Sequence, residues 1–286
     1  MRVLVTGGTG QLGRFIVAGL AEAGHDVVLL GRTAQPGHAL HAWSLAETAP
    51  ELPPADALVH AAFDHVPGRY RGGEGDDPAR FLRLNRAGSA ALFEAARRAG
   101  IPRWLFLSSR SVYGDHRRGE ILAETDTPAP DSLYGEAKLA TEQDMTRLAG
   151  AAATPVTLRA TGVYGIPPGI SSHKWDGLFR DFLAGAKIEP RIGTELHGAD
   201  LAEAVRRLLE APSKDARGAF NASDILLDRH DLLARLKKQT GAPRPLPPRY
   251  EGTLPGIMAT GKLQRLGWRP GGTERLAAFL ASLAAH

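Results

Sequence analysis

The sequence predicts an α/β protein built on a doubly wound parallel sheet of about seven strands, with a small C-terminal lobe for substrate. Three observations predict it. An apolar strand, a glycine-rich turn and a helix follow one another at the N-terminus. Apolar strands then alternate with helical segments as far as residue 165, and this alternation fades in the second half of the chain. With 286 residues the chain is long enough for one large core or two smaller ones.

The N-terminal unit has the pattern of a strand, a turn, a helix and a second strand. Residues 2–5 form a short apolar run, residues 6–13 contain four glycines, and a strand follows the helix at 27–30. Glycines let the backbone of such a turn approach a pyrophosphate, and the free N–H groups at the start of the helix offset its negative charge. The pattern predicts a dinucleotide-binding turn. The alternative is a glycine turn that only packs a helix on a strand.

The end of the second strand bears on the choice of dinucleotide. NAD enzymes usually place Asp or Glu there to hold the ribose 2′-hydroxyl, whereas an arginine suits the 2′-phosphate of NADP. This chain has Gly31 followed by Arg32, and Arg14 could supply a second cation from the same side. The charge argument favours NADP over NAD, unless both arginines are ordinary solvated side chains.

The middle of the chain continues the alternation less regularly. The plausible third strand lies at 42–45 and a clear fourth strand at 57–62, and the glycine-rich segment 64–77 has the composition of a mobile lid or of a plain connection. Residues 81–99 have helical spacing. The run 104–107 is apolar throughout, as expected of a central parallel strand buried on both faces.

The remaining segments define two expected units. Further elements are predicted as helices at 134–149, 174–186, 200–209, 230–240 and 273–285, and as strands at 156–159 and 219–222. We expect residues 1–165 plus 196–224 to form the dinucleotide-binding domain, with 219–222 as its seventh strand. Residues 166–195 plus 225–286 would form the substrate-binding lobe.

The composition excludes several classes of function. The chain is 43% hydrophobic and 23% charged with a net charge of +4, and no basic run interleaved with aromatic residues indicates nucleic acid. The absence of cysteine excludes disulfides and thiolate metal sites, and no histidine pair has metal-ligand spacing, so we expect no metal. The first strand leaves no room for a signal peptide, and no apolar run approaches 18 residues. These features predict a cytoplasmic protein that does not enter membranes.

Tyr134 and Lys138 form the candidate catalytic pair. Four residues apart on a predicted helix, the phenol and the ammonium project from the same face. A tyrosine of ordinary pKa, near ~10, is a poor acid or base at neutral pH, but a cation held close stabilises the phenolate. This spacing occurs by chance on many exposed helices. It is more specific here because it follows a glycine turn and an apolar strand that ends in serines.

Together these features resemble the extended short-chain dehydrogenase/reductase family, the group that includes NAD-dependent epimerases and dehydratases of nucleotide sugars. The resemblance covers nearly the whole chain, and its specific motifs are TGGTGQLG at 6–13, LSSRSVYG at 107–114 and YGEAK at 134–138. It implies a Rossmann fold and an oxidoreductase that moves hydride between the nicotinamide and a sugar-like or nucleotide-sugar alcohol or ketone. A reductase that exchanges NADP, an epimerase that retains NAD, and a non-catalytic dinucleotide sensor remain open, in a monomer or a homodimer.

The resemblance also assigns catalytic roles. Tyr134 would transfer a proton to or from the substrate oxygen, and Lys138 would hold the nicotinamide ribose and lower the tyrosine pKa. Ser109 would donate a hydrogen bond to the reacting oxygen. The neighbouring Ser108 would only satisfy backbone groups.

The same resemblance implies a set of cofactor-binding residues. Asn85 would be structural and fix a helix, and Val163 would lie where a main-chain group meets the nicotinamide carboxamide. The residues expected to bind the cofactor are Gly7, Gly10, Gln11, Leu12, Gly13, Arg32, Ala61, Ala62, Asn85, Tyr134, Lys138 and Val163.

Three departures from the family pattern are informative. Arg110 and Ser111 follow the expected catalytic hydroxyl where the 4,6-dehydratases have two acidic residues, so dehydration is not expected. Residues 43–45 read Trp-Ser-Leu where the family usually has Gly-Asp-Leu, so the adenine would be held differently. The part after residue 165 is short for a large epimerase, which favours a smaller substrate or a diphosphate held by few residues. We expect substrate choice to rest on segments 64–77, 166–190 and 249–259.

Overall fold

The computed structural model describes residues 1–48, 50–66 and 73–283. In these ranges the strands are β1 (Arg2–Thr6), β2 (Asp26–Gly31), β3 (Ala39–Ala42), β4 (Ala57–His60), β5 (Arg103–Ser109), β6 (Ile121–Leu122), β7 (Thr154–Ala160), β8 (Gly162–Tyr164), β9 (Ile192–His197), β10 (Gly218–Ala222), β11 (Ile225–Asp228) and β12 (Ile257–Met258). The helices are α1 (Gln11–Glu22), α2 (Pro78–Leu82), α3 (Gly88–Arg98), α4 (Leu133–Ala149), α5 (Asp176–Ala184), α6 (Gly198–Glu210), α7 (Ser213–Ala216), α8 (Arg229–Thr240), α9 (Gly261–Gln264) and α10 (Gly272–Leu283). A π-helical turn at Arg83–Ala87 joins α2 to α3, and a 3-10 turn at Arg110–Tyr113 follows β5.

The main sheet is parallel and has seven strands in the spatial order β10-β7-β5-β4-β1-β2-β3. From β1 the chain adds β2 and β3 on one side and then returns to add β4, β5, β7 and β10 on the other. Where the order reverses, the carboxyl ends of β1 and β4 leave the crevice in which open α/β sheets bind ligands. The doubly wound Rossmann fold of about seven strands is confirmed, and the strand predicted at 219–222 is its seventh strand, β10.

Helices cover both faces of this sheet. On one face Val3 packs in a core with Ile16 of α1 and Leu201 of α6. On the other face Leu4 packs in a core with side chains of α3 and α4, among them Met145. Successive residues of β1 point to opposite faces, so both need apolar side chains, and the strand reads as a continuous apolar run without alternation.

Two predicted elements differ from the structure. The third strand lies at Ala39–Ala42 instead of 42–45, because it pairs with Val28–Gly31 of β2 before the chain turns Trp43 into the core beside α3. Its side chains are mostly exposed, so it carries little hydrophobic pattern. The helix predicted over 81–99 is interrupted by the π-helical turn at Arg83–Ala87.

A second unit contains shorter strands and an aromatic core. Strands β8, β9 and β11 form a three-stranded sheet, and β6 pairs with β12 in a two-stranded one. Helices α5, α8 and α10 pack against the three-stranded sheet around Tyr164, Trp175, Phe179 and Phe279. The division into a dinucleotide domain and a substrate lobe stays a prediction. Strand β8, predicted to belong to the first unit, lies in this sheet, and Trp268, predicted to belong to the lobe, packs in the core of the main sheet.

Two further sequence predictions concern a candidate lid segment and the absence of a membrane span. The lid hypothesis for 64–77 falls partly on residues 67–72, which lie outside the described residues. Within the described ranges, no helix has the length and apolar character needed to cross a membrane.

Candidate active site

A cavity of about 660 Å³ runs along the carboxyl ends of β2, β1, β4 and β5. The glycine turn after β1 forms one wall, Arg32 and Trp43 lie near β2, and Tyr134 and Lys138 lie near β5. Among the sequence-predicted site residues, those that line it are Gly7, Gly10, Gln11, Leu12, Gly13, Arg32, Ala61, Ala62, Tyr134 and Lys138. Since β2 and β5 are separated by β1 and β4, the cavity is elongated across four strands.

The glycine turn leaves no room for side chains. Gly7 has a φ of +68°, and a Cβ there would lie 2.6 Å from the nitrogen of Ala62. A Cβ on Gly13 would lie 2.0 Å from the carbonyl oxygen of Gly7. The close turn brings α1, which begins at Gln11, to the cavity with its N-terminal N–H groups at the wall. This cradle fits the pyrophosphate of a dinucleotide.

The buried hydroxyl of Thr6, at the end of β1, links β1 to the backbone that follows β4 beside the cavity. The backbone N–H groups of Ala61 and Ala62 donate to the Thr6 hydroxyl, at 3.2 and 3.1 Å. The ring of His60 lies between Thr6, 2.7 Å from its Nδ1, and Ser89, 2.8 Å from its Nε2. Burial, with a smaller contribution from the Lys138 charge, lowers the pKa of His60 to about 3. His60 is therefore a neutral side chain at the end of β4 that links β1 and α3 through hydrogen bonds.

Tyr134 and Lys138 lie at the β5 end of the cavity. Lys138 is only 4% exposed, and its ammonium donates to the carbonyl oxygen of Leu107 at 2.8 Å. It also lies 4.3 Å from the ring centroid of Phe63 and 4.8 Å from that of Phe106. Burial lowers the pKa of Lys138 to about 7. The edge-to-face contact of Phe63 with Tyr134, at 5.1 Å between centroids, completes a tight cluster.

The start of α4 places Tyr134 next to the turn after β5. The Ser132 side chain caps the helix by accepting the N–H of Gly135 at 3.2 Å. A Cβ on Gly135 would lie 2.5 Å from the carbonyl oxygen of Ser111. The missing side chain thus allows the helix backbone to contact the 3-10 turn after β5, and Tyr134, the second residue of α4, lies next to that contact.

The two serines at the end of β5 have different surroundings. The Ser109 hydroxyl accepts the N–H of Ser111 at 3.1 Å, and Ser109 is not among the residues that line the cavity. Ser108 lines the cavity, and its buried hydroxyl donates to Glu142. The expectation that Ser108 satisfies backbone groups was wrong, because a carboxylate of α4 faces it.

Asn85 and Val163 lie outside the cavity lining. Asn85 is buried, and its side-chain amide accepts the N–H of Asp64 and donates to the carbonyl oxygen of Asp64, both at 2.7 Å. It therefore fixes the loop that follows β4. Val163 is buried in β8 within the core of the main sheet. Since neither residue lines the cavity, their assignment to the cofactor stays a prediction.

The two arginines considered for a 2′-phosphate differ. Arg32 is exposed and lines the cavity. The guanidinium of Arg14 donates to the carbonyl oxygens of Thr9 and Pro168, each at 3.0 Å, and Arg14 is not part of the lining. The expectation of a second cation in the site was therefore wrong. Trp43 lines the cavity in the segment where the family pattern has an aspartate.

Sequence reasoning missed three residues of the site. Phe63 directly follows Ala61 and Ala62, and its ring covers the Lys138 ammonium, but nothing in its local sequence indicates this contact. The Gln35 side chain donates to the carbonyl oxygen of Gly8 at 2.6 Å and so braces the glycine turn. Glu142 lies one helical turn after Lys138, and this spacing is a signal that could have identified it.

Two histidines of the second half of the chain have partners within the protein. His197 caps α6 by accepting the N–H of Ala199 at 3.1 Å, and burial lowers its pKa to about 4. His173 forms an ion pair with Asp176 at 2.8 Å when protonated. In residues 1–48, 50–66 and 73–283, no group of three or more His, Asp and Glu could hold a metal ion.

Comparisons with known proteins agree with this geometry. A family model described as the NAD dependent epimerase/dehydratase family matches residues 3–223. Among curated proteins, the UDP-glucose 4-epimerase of Lacticaseibacillus casei is 28% identical over 94% of this chain and 92% of its own length. Among solved structures, the UDP-glucose 4-epimerase of Thermotoga maritima with UDP-glucose has a TM-score of 0.80 and 22% identity, with 98% of both chains covered. That of Thermus thermophilus in complex with NAD has a TM-score of 0.78 and 25% identity, also with 98% of both chains covered.

Proposed function

Because the chain belongs to the NAD dependent epimerase/dehydratase family, we propose that it is a nucleotide-sugar epimerase that oxidises and re-reduces one secondary alcohol of its substrate. Membership makes it an enzyme of the extended short-chain dehydrogenase/reductase type that works with a nicotinamide dinucleotide. The observation that carries the proposal is a single cavity that joins a phosphate-binding glycine turn to Tyr134 and Lys138. The relatives of known activity are UDP-glucose 4-epimerases, which supports a nucleotide sugar as substrate.

The residues present fit a dinucleotide. The glycine turn and the first N–H groups of α1 would hold the pyrophosphate, and Ala61 and Ala62 would lie against its middle part. Lys138 would hold the hydroxyls of the nicotinamide ribose. When bound, the nicotinamide supplies the hydride acceptor of the first half-reaction and the hydride donor of the second.

The protein side of the reaction is proton transfer. As hydride leaves the carbinol carbon, the hydroxyl proton of the substrate passes to the Tyr134 oxygen, and a ketone forms. Return of hydride to the opposite face of the ketone requires the same proton back from Tyr134. A charged Lys138 close to the phenol lowers the cost of the phenolate, and this makes both transfers feasible near neutral pH.

Ser109 would orient the reacting oxygen. Its hydroxyl oxygen accepts the Ser111 N–H, and this contact leaves the hydroxyl hydrogen to donate. A donor aimed at the reacting oxygen stabilises the charge that develops on it. Arg110 and Ser111 supply no carboxylate beside this hydroxyl, which argues against a dehydratase.

A second candidate function is an NADP-dependent reductase of a sugar-like ketone. One observation favours it: β2 ends at Gly31 without a carboxylate, and Arg32 follows on the cavity wall. A guanidinium at that position suits a 2′-phosphate. A reductase releases its oxidised cofactor after each turnover, whereas an epimerase must return the hydride that it removed.

The experiment that separates the two supplies UDP-glucose or UDP-galactose with catalytic NAD and follows both sugars by proton NMR. Interconversion without net change in the 340 nm absorbance of reduced cofactor supports the epimerase. A parallel assay supplies NADPH and a sugar-like ketone. Consumption of NADPH in proportion to the ketone, with no sugar interconversion in the first assay, supports the reductase. If neither occurs, the next panel consists of other nucleotide sugars, and inactivity across it would contradict the proposal.

A further inference from the structure

A buried carboxylate on the proposed catalytic helix contacts two strands of the main sheet. Glu142 of α4 is 6% exposed and accepts a hydrogen bond from the Ser108 hydroxyl on β5. Arg159 of β7 donates to both oxygens of the same carboxylate, from Nε to Oε1 at 3.1 Å and to Oε2 at 3.2 Å, and from Nη2 to Oε2 at 2.7 Å. A bidentate geometry of this kind fixes both distance and orientation. Glu142 therefore holds α4 against β5 and β7 at a defined depth.

The network continues to the edge of the sheet. Nη1 of Arg159 donates to the Tyr113 hydroxyl at 2.9 Å, and this hydroxyl donates to the side-chain oxygen of Asn221 on β10, also at 2.9 Å. The network thus links α4 to β5, β7, β10 and the 3-10 turn after β5. The predicted catalytic helix carries Glu142, and the predicted catalytic Ser109 directly follows Ser108 on β5.

Lys138 lies one helical turn before Glu142, on the same face of α4. The ammonium has a backbone carbonyl and two aromatic rings as neighbours, and its burial favours the neutral amine. The charge of Glu142 acts in the opposite direction and favours the ammonium. Two other groups face Lys138: His60 from β4, which is neutral, and Tyr134 from its own helix.

Arg159, from β7, also carries charge near the cluster. Its guanidinium pairs with the Glu142 carboxylate at 2.7 Å, but of these two charges it is that of Glu142 that acts on Lys138. Removal of the carboxylate would therefore take away the charge that favours the ammonium, and it would also leave Arg159 unpaired.

We infer that Glu142 is a positioning residue for the proposed catalytic pair: it sets α4 on the sheet and supplies the counter-charge that keeps Lys138 an ammonium. This inference rests on the proposed role of Lys138 toward the cofactor, but it does not depend on which sugar is the substrate. A purely structural role, in which the ion pair only stabilises the fold, predicts a loss of stability without a change in the titration of Lys138.

The first test is the titration of Lys138 itself, in the substrate-free protein. NMR of protein labelled with ¹³C at the lysine ε-carbons, with the Lys138 signal assigned from its absence in Lys138→Arg, gives its titration midpoint. In Glu142→Gln we expect that midpoint to fall by about one pH unit or more, as for a charge pair separated by one helical turn. Glu136→Gln, an exposed carboxylate on the same helix, is the matched control and should titrate as the wild type. An unchanged midpoint in Glu142→Gln overturns the inference.

Glu142→Gln leaves a buried arginine unpaired, and this can prevent folding. A second variant therefore tests the same inference without an unpaired charge. Glu142→Gln combined with Arg159→Met removes both charges and can pack as an apolar pair. We expect it to fold and still to show a lowered Lys138 midpoint. A wild-type midpoint in the double variant overturns the inference.

The third readout is dinucleotide affinity as a function of pH. In Glu142→Gln we expect affinity to fall up to about tenfold at pH 7.5 and to recover toward the wild-type value at pH 6, where Lys138 regains its proton. An equal loss at every pH indicates a structural role and contradicts the inference. None of these measurements needs a substrate, so a failure of the epimerase assay and a failure of this inference are separate results.

Discussion

The centre and the β5 end of the cavity are built from different parts of the polypeptide. In the centre, the backbone of the glycine turn forms the wall, and the glycines matter for the side chains they lack: a Cβ on Gly13 would lie 2.0 Å from the carbonyl oxygen of Gly7. At the β5 end, the wall is made of side chains, and Lys138 lies buried among aromatic rings. We therefore expect cofactor binding and proton transfer to be separable. Substitutions in the glycine turn should alter cofactor affinity, and loss of the Tyr134 oxygen should alter turnover.

The largest expected effect is on turnover, in Tyr134→Phe. Loss of the phenol oxygen removes the proton-transfer group, and we expect kcat to fall about 10²–10⁴-fold. Dinucleotide affinity should stay within a few-fold, because the ring that contacts Phe63 is retained. Steady-state kinetics and a fluorescence titration of the cofactor measure the two quantities. Near-native turnover in this variant would show that Tyr134 is not the acid–base group.

The reverse separation is expected for Gly13→Ala. The added methyl group must displace the backbone of the glycine turn, so we expect dinucleotide affinity to fall on the order of 100-fold, with a loss of stability of about 1–3 kcal/mol from overpacking. Gly193→Ala, where nothing lies within 4 Å of the added Cβ, is the matched control. Isothermal calorimetry and thermal melts check both. Wild-type affinity in Gly13→Ala would refute the backbone cradle.

A smaller effect is expected for Arg32→Ala. The side chain is exposed, so solvent and salt screen its contact with a 2′-phosphate, and we expect roughly a tenfold loss of NADP affinity that shrinks at high salt. NAD affinity should hardly change. Arg83→Ala, an exposed arginine outside the cavity lining, serves as the control. Tighter binding of NAD than of NADP by the wild type would favour the NAD-retaining epimerase.

The last expected effect concerns the stability of the fold and its dependence on pH. Burial lowers the pKa of Lys138 from an ordinary value of 10.5 to about 7, so between pH 7 and 10.5 the unfolded chain binds a proton that the folded protein lacks. The free energy of unfolding therefore rises with pH through this window, by up to about 1.4 kcal/mol per pH unit.

The variant Lys138→Met lacks this group and isolates its contribution. Relative to it, the wild type should gain stability from pH 7 to pH 10 and be the less stable of the two at pH 7, because the variant has no buried ammonium. Chemical denaturation of both proteins at several pH values measures the difference. A difference that does not vary with pH would indicate that Lys138 titrates outside this window.

Most of the sheet followed from the sequence. Strands β1 and β5 contain continuous apolar runs because both faces of the sheet are covered, and such a run is visible without knowledge of the fold. Strand β3 was misplaced because its side chains are mostly exposed at the edge of the sheet, so pairing with β2 alone determines it. A strand whose position depends on main-chain pairing leaves little trace in the sequence.

The β5 end of the cavity shows the same limit of prediction from sequence. The pair Tyr134 and Lys138 could be recognised because helical geometry relates residues four apart. The contact of Phe63 with Lys138 spans 75 positions by their numbering, and that of Ser108 with Glu142 spans 34. Neither is contained in a local pattern.

By itself, therefore, the sequence determined what local geometry can encode: the fold class, the glycine turn that borders the cavity, and the placement of Tyr134 and Lys138, the proposed catalytic pair, on one face of a helix. The tertiary structure alone decided which hydroxyl faces Glu142, that Arg14 is engaged away from the cavity, and that Lys138 is buried enough to titrate near neutrality. The physical reason is that hydrogen bonds and desolvation act through space, between groups that the chain brings together only when the sheet and its helices have packed.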